Sequence, residues 1–278
     1  MNLLEKMAAL EKSNQAFVLA TVVKTAGSVP GKVGFKMLIG ENKNTAGTVG
    51  GGELEQRVVS ESLARLQNGE SGLQEYILQE KDAGKKQAGE AEVVPMMCNG
   101  KVWIYYEVNK TNPPVYIFGG GHVGHALSNL LSNLGYYIIL VDNRKEFADE
   151  HANPYAKERI LDDYVHYAAE FNPPKDAYVV IMTQGHAFDY HILKALYERK
   201  LPLKYIGVIA SRSKSAGLIK NLEKDLGTDL NLSNLYTPVG LAIGGNTEYE
   251  IALSIVSEIQ AVRFGKKAPH MRDEITKG

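Results

Sequence analysis

The chain has one cysteine, Cys98, in 278 residues. No intrachain disulfide can form, a zinc site made only of cysteines is excluded, and a reducing, cytoplasmic setting is expected. Net charge is scarce too: 31 Lys and Arg against 32 Asp and Glu leave a formal −1. That balance gives no electrostatic reason to expect nucleic acid or anionic lipid as a partner. The short basic runs Lys85-Lys86 and Lys266-Lys267 read as solvated loop or helix-end charges. Long apolar runs are missing as well. Met1–Lys12 spaces Leu3, Leu4, Met7, Ala8 and Leu10 among Glu and Lys, which makes a short amphipathic helix with no run suited to a signal peptide or membrane span. There is no internal repeat and no low-complexity tract.

What is present is an ordinary globular composition, 44% apolar and 23% charged, in a chain long enough for two domains. The clearest break is Asn109-Lys110-Thr111-Asn112-Pro113-Pro114, where two prolines among polar residues stop any regular element. A boundary there separates residues 1–110, a smaller α/β domain, from residues 115–278. In the first part Phe17–Lys24 reads as a buried strand, Ala26–Gly34 as a glycine- and proline-punctuated loop, and Phe35–Ile39 with Gly47–Val49 as a hairpin. A helix is expected over Glu53–Gln67, and strands over Leu73–Gln79 and Val102–Val108 with a polar loop, Asp82–Gly89, between them.

Beyond the boundary, strand and helix alternate. Apolar strands are expected at Val115–Phe118, Tyr137–Val141, Tyr178–Met182 and Tyr205–Ile209. Helices fit Val123–Leu134, Phe188–Glu198, Ala216–Asp225 and Thr247–Arg263, the last opened by a Thr247/Glu250 capping box after Gly244-Gly245. Continuous apolar strands between amphipathic helices argue for a doubly wound parallel sheet. The fifteen tyrosines, in pairs such as Tyr105-Tyr106 and Tyr136-Tyr137, read as core and interface packing.

The strand Val115–Phe118 runs into Gly119-Gly120-Gly121-His122-Val123-Gly124, a G-x-G-x-x-G turn followed by a helix. Gly119 permits the tight turn, Gly121 lets backbone N–H groups approach a phosphate at the positive helix end, and Gly124 lets helix and strand pack closely. Asp142 lies 18 residues after Gly124 at the end of the next strand, where a carboxylate accepts from ribose hydroxyls. Strand, turn, helix, strand and acid together specify a Rossmann-type domain. His122 and His125 read as a loop residue and a helix-surface residue.

With these residues in view, the chain resembles the XdhC/CoxI family of maturation factors for molybdenum hydroxylases such as xanthine dehydrogenase. Six blocks carry the resemblance in the family's order. They are Gly27-Ser28 with Pro30–Gly34 and the Gly47–Glu55 run; Cys98-Asn99-Gly100; Ile117–Gly124 with Val141–Arg144 and Phe147; Met182–His186 with Asp189; Gly207–Lys214; and Pro238–Gly244 with the helix after it. The resemblance implies a cytoplasmic, dimeric chaperone without turnover of its own. Such a protein binds molybdenum cofactor, as molybdopterin or its nucleotide form, protects it while a cysteine desulfurase or sulfurtransferase adds the terminal sulfido ligand, and delivers it to an apo-hydroxylase. Two departures stand out. Family members often carry Cys where this chain has Glu53, and His where it has Gln184. Glu53 is a harder, acceptor-only group suited to pterin N–H atoms, which leaves Cys98 as the one thiol for sulfur or metal.

Several residues carry two readings. Cys98 is a sulfur or molybdenum contact, or a small buried apolar residue. Gly50, Gly51 and Gly52 form an N–H nest for an anion ahead of Glu53, or the tight turn that sterics require. His186 and Asp189, after Thr183-Gln184-Gly185, are an acid–base pair or a loop His with a helix-capping Asp. Ser211, Arg212 and Lys214 bind a phosphate, cap the next helix, or both. Two rival functions remain open: an NAD(P)-dependent oxidoreductase, and a nucleotide-sensing regulatory domain that leaves the Gly47–Glu55 and Cys98 blocks unexplained.

Overall fold

A computed structural model describes residues 2–79 and 91–272. The chain divides into two compact units, Met1–Thr111 and Asn112–Gly278. The expected polar loop Asp82–Gly89 and the Lys85-Lys86 run lie outside the described residues.

The first unit opens with helix α1 (Leu3–Lys12), entered through a reciprocal Asn2/Glu5 capping box. Strands β1 (Phe17–Gly27), β2 (Lys36–Gly40) and β3 (Thr45–Gly47) precede helix α2 (Gly52–Asn68). Strands β4 (Gly72–Gln79), β5 (Glu92–Pro95) and β6 (Gly100–Asn109) complete a sheet ordered β3-β2-β1-β6-β4-β5. Val18, Ala20 and Val22 on β1, a strand buried on both faces over Phe17–Ala20, and the alternating Val102, Ile104 and Tyr106 on β6 build one core with Leu54 and Val58 of α2. The second hairpin strand spans Thr45–Gly47 rather than Gly47–Val49. At Gly47 φ is 84°, and a Cβ there would run into the Lys36 carbonyl, so the strand ends on it.

Inside this core the Tyr76 and Tyr106 hydroxyls lie 2.6 Å apart. Burial pushes both phenols up, so they stay neutral and bond each other at neutral pH. Tyr106→Phe orphans the Tyr76 hydroxyl and is expected to cost about 1–2 kcal/mol in urea unfolding. Adding Tyr76→Phe should recover most of that loss.

The second unit alternates β7 (Pro114–Phe118), α3 (His122–Ser132), β8 (Tyr137–Asp142), β9 (Glu158–Leu161), α4 (Tyr164–Glu170), β10 (Tyr178–Ile181), α5 (His186–Glu198), β11 (Tyr205–Val208), α6 (Arg212–Leu226), β12 (Leu235–Tyr236) and α7 (Glu248–Arg263). Its sheet runs β12-β11-β10-β7-β8-β9 with every neighbouring pair parallel. Numbered from β7, this is the 3-2-1-4-5-6 order of the Rossmann fold, and strand order reverses between β7 and β10. Alternate strand residues feed two cores. Val115, Ile117, Ile138, Leu140 and Val180 pack under Leu127 of α3 and Ile255 of α7. Phe118, Val141, Val179, Ile181 and Val208 pack under Tyr164, Ile192 and Leu222 on the helices of the other face. The expected doubly wound sheet is present, with β9, α4 and β12 as additions too short for periodicity to reveal. Tyr105 and Tyr106 alternate, exposed and buried, whereas Tyr136 and Tyr137 are both buried.

Candidate functional site

The glycine turn sits where strand order reverses. Gly119 has φ 117°, and a Cβ on it would meet the Met182 carbonyl just past β10. A Cβ on Gly124, in the first turn of α3, would strike the Gly119 carbonyl. These two glycines serve close backbone packing. Gly121 differs: its φ is −67° and a Cβ on it would meet nothing within 4 Å. The fold itself gives no reason for glycine there. Gly121 is the N-cap of α3, and no side chain caps that helix, so its first N–H groups face the space that the missing side chain leaves.

Beside the turn lies a cavity of about 290 Å³ lined by Gly120, Gly121, His122, His125, Phe147 and Tyr249, among others. His122 is exposed as the first residue of α3, not a loop residue. His125 is half-buried rather than on the surface. Its Nδ1 lies 2.8 Å from the Ala152 carbonyl and its ring stands edge-on to Tyr155, which ties α3 to the segment after β8. Buried Asn153 belongs to the same tie, donating to the Gly120 and Phe147 carbonyls.

Asp142 ends β8 with its side chain fully buried. Its Oδ2 accepts from the Gly120 N–H at 2.7 Å and from Arg144 Nη2 at 2.8 Å. Its Oδ1 accepts from the Arg144 N–H and from Arg144 Nε, each at 2.9 Å. Burial pushes this carboxyl up, but the Arg144 side chain and the two backbone N–H bonds outweigh it and hold the group below the usual carboxylate range. Four donors fill the four lone-pair positions of a carboxylate. The acid expected to meet a ribose instead braces the turn and Arg144. The Arg144 guanidinium also lies over the Phe147 ring at 3.9 Å.

The Thr183–Asp189 block follows β10 at the same edge. Gln184 is exposed; its amide donates to Asn143 at 3.1 Å and its carbonyl accepts from the Tyr164 hydroxyl at 3.3 Å. Asp189 Oδ1 accepts from the Thr183 hydroxyl at 2.6 Å and the Thr183 N–H at 3.2 Å. It steadies the loop from inside the first turn of α5, while Gly185 is the N-cap residue. His186 opens α5, and its side chain lies outside the described residues. One strand further out, Ser211 caps α6 by accepting from the Lys214 N–H. Arg212 and Lys214 are exposed, and Lys214 borders a cavity of about 460 Å³ together with Asp189, His191 and Gly217. The turn, the Asp142–Arg144 pair and the Thr183–Gly185 loop therefore gather at one place, with Ser211–Lys214 one strand away.

In the first unit, the glycine-rich loops converge by backbone contact. A Cβ on Gly31 or Gly50 would clash between those two segments, and one on Gly100 would clash with the Ala26 and Ser28 carbonyls. Of the expected nest, the Gly51 N–H already meets an internal anion and the Gly50 N–H bonds the Thr48 hydroxyl at 3.1 Å. Glu55 Oε1 accepts from the Val49 N–H at 3.2 Å, the Gly51 N–H at 3.0 Å and the Thr48 hydroxyl. Gly52 starts α2, and a Cβ on it would touch the Met96 methyl at 3.4 Å. Half-buried Glu53 lies 3.6 Å from Arg57. Cys98 is half-buried against the core of this unit. Glu55→Ala frees two N–H groups and a hydroxyl together, and should lower the unfolding free energy read by denaturant titration by about 1–2 kcal/mol.

Among the described residues no three His, Cys, Asp or Glu side chains gather as a metal-binding set, and no helix is long and apolar enough to cross a membrane. Residues 115–259 match the XdhC Rossmann domain, and residues 10–77 match the XdhC and CoxI family. The chain belongs to the XdhC and CoxI family. The chain is 29% identical over 264 residues to Escherichia coli K12 YqeB, covering 95% of this chain and 46% of that protein. It is 30% identical over 152 residues to a Bacillus subtilis protein named as a probable component of xanthine dehydrogenase, covering 54% and 43%. The chain thus spans less than half the length of these curated relatives. A Bacillus halodurans protein described as a xanthine dehydrogenase shares the fold, with a TM-score of 0.52 at 22% identity over 96% of this chain and 97% of that one.

Sequence reasoning placed the glycine turn, Asp142 and the Gln184 loop at one sheet edge, where they are. It included Arg144 and Phe147 only as parts of a block and overlooked Asn153, Tyr164 and Tyr249. Arg144 carried a usable signal, a cation two residues past the strand-ending acid. The other three lie far from the turn in sequence and no local pattern marks them.

Proposed function

We propose that this XdhC-family chain is an accessory protein of a xanthine dehydrogenase-type system that binds molybdenum cofactor as cargo. It shields the cofactor while a sulfurtransferase adds the terminal sulfido ligand and delivers it to an apo-hydroxylase, acting as a cytoplasmic homodimer without turnover of its own. The relative named as a probable xanthine dehydrogenase component supports the system. The observation that carries the cargo reading is the α3 N-terminus, which has no side-chain cap and opens at Gly121 onto clear space. A phosphate on molybdopterin or its nucleotide form suits that place, because the helix end supplies N–H donors and a positive potential. Glu53, Cys98, Gln184, His186, Ser211, Arg212 and Lys214 are the further candidates for pterin, sulfur and phosphate contact, with Gly50–Gly52 supporting Glu53 as backbone. An NAD(P)-dependent oxidoreductase is the second reading, favoured by the Rossmann strand order.

The test uses purified protein incubated separately with molybdenum cofactor and with NAD(H). The expected result is retention of the cofactor and its transfer to an apo-hydroxylase. Tight dinucleotide binding with hydride turnover, and no cofactor retained, rejects the chaperone reading. A Cys98→Ser variant should retain sulfurated cofactor less well; unchanged retention assigns Cys98 to packing alone.

A further inference from the structure

A nicotinamide dinucleotide is read at its adenosine ribose by a free carboxylate at the end of the second strand. In this chain that carboxylate is Asp142, and it has nothing left to offer. It is fully buried and accepts four bonds, from the Gly120 N–H and from the Arg144 N–H, Nε and Nη2. A ribose diol could bond it only by breaking the turn or the ion pair.

What the pair presents instead is a cation. Two of the five N–H donors of the Arg144 guanidinium engage Asp142, and the Tyr164 hydroxyl also neighbours the guanidinium, which leaves donors beyond these two partners. Asp142 Oδ2 is shared by Arg144 Nη2 and the Gly120 N–H, so the guanidinium is fixed beside the residue that precedes the open N-cap, Gly121. Phe147, which borders the cavity at the turn, stacks on the guanidinium and limits its rotation. The Arg144 side chain keeps 29% of its exposure, so a solute reaches it. A planar guanidinium held on one edge by a carboxylate and on one face by an aromatic ring is preorganised to receive phosphate oxygens in bidentate fashion.

We propose that Arg144 is the specificity-determining residue of this site and recognises a phosphomonoester dianion, with Asp142 acting as a positioning residue that makes no ligand contact. The proposal rests on the reading that the glycine turn holds a phosphate-bearing ligand, and it names the group that is recognised. It predicts discrimination against ligands that bring a bare ribose diol to Asp142.

The experiment titrates the full chain by calorimetry with NADP⁺, whose ribose carries a phosphomonoester, and with NAD⁺, which has the free diol. A parallel arm compares a pterin bearing a terminal phosphomonoester with the same pterin dephosphorylated, which distinguishes a pterin phosphate from a ribose phosphate as the source. At least one phosphorylated member is expected to bind about ten- to a hundredfold more tightly than its partner, the range of a charge-assisted bidentate contact. The preference should shrink as salt is raised. Arg144→Gln should bring the ratio close to one, and Arg144→Lys should restore part of it, because a point charge replaces the fork. The double variant Asp142→Asn/Arg144→Gln, with no buried charge left unpaired, covers the case in which the single variant does not fold. The proposal is overturned if NAD⁺ binds as tightly as NADP⁺ and the two pterins bind equally, if no phosphorylated probe binds, or if the preference survives loss of Arg144. Failure of the cofactor-transfer test with an Arg144-dependent preference intact rejects the chaperone function alone. Cofactor transfer without any phosphate preference rejects only the role of Arg144.

Discussion

Asp142→Asn is expected to destabilise the C-terminal unit by about 3 kcal/mol, among the larger single-residue effects in the chain. The neutral amide keeps one acceptor oxygen and puts an NH₂ group where the Gly120 N–H or the Arg144 guanidinium now donates. One buried donor is orphaned and the cation loses its counter-charge; the partial exposure of Arg144 keeps the cost below that of a wholly buried pair. The pH dependence has a definite sign. The Asp142 carboxyl sits below its ordinary value, because the Arg144 and backbone bonds outweigh burial. A depressed carboxylate contributes stability that is complete above its unfolded value near about 4 and is lost as pH falls through the folded value. Wild-type stability should therefore decline below about pH 4, and the asparagine variant, already lower, should lack this contribution to the decline. Urea unfolding from pH 2 to pH 7 measures both. Equal stability at neutral pH would mean that the pair does not brace the turn.

Much of the C-terminal unit was legible because its signals are local. The run Val115–Phe118 followed by glycines, then a helix and an acid-ended strand, encodes a strand–turn–helix–strand unit within 28 residues, from Val115 to Asp142. The Thr247/Glu250 capping box is present as expected, with Thr247 the N-cap and the helix proper beginning at Glu248. Strands β5, β9 and β12, of two to four residues, carry too few positions for a period to register. At the site, the residue types were legible but their partners were not. A carboxylate at a strand end looks the same in sequence whether it is open to a ribose or already bound to Arg144 and Gly120. A glycine run ahead of a helix looks the same whether its N–H groups await an anion or hold Glu55. The two glycine turns resolve oppositely: the one in the first unit is closed on its own carboxylate, and the one at α3 has no side-chain cap.

That contrast makes the glycines of the α3 turn separable by mutation. Gly124→Ala places a methyl against the Gly119 backbone carbonyl, which is itself fixed by the Gly119 N–H bond to Val141 and by contact with Met182. The gain of about 1 kcal/mol in helix propensity cannot offset a backbone overlap with nowhere to relax, and a net loss of about 2 kcal/mol or more is expected. Gly121→Ser goes the other way. The φ of −67° suits any residue, the Cβ meets open space, and serine is among the best N-cap residues, so stability should be unchanged or rise by up to about 1 kcal/mol. The new hydroxyl, however, caps the N–H groups that the ligand would use and fills the space next to them. Binding of the phosphorylated probe should fall at least about tenfold, the equivalent of one lost charge-assisted contact. Thermal unfolding and titration of both variants read the two effects independently. A Gly121→Ser protein that binds as tightly as wild type would show that the N-terminus of α3 takes no anion, and a Gly124→Ala protein as stable as wild type would show that the helix does not depend on its close approach to β7.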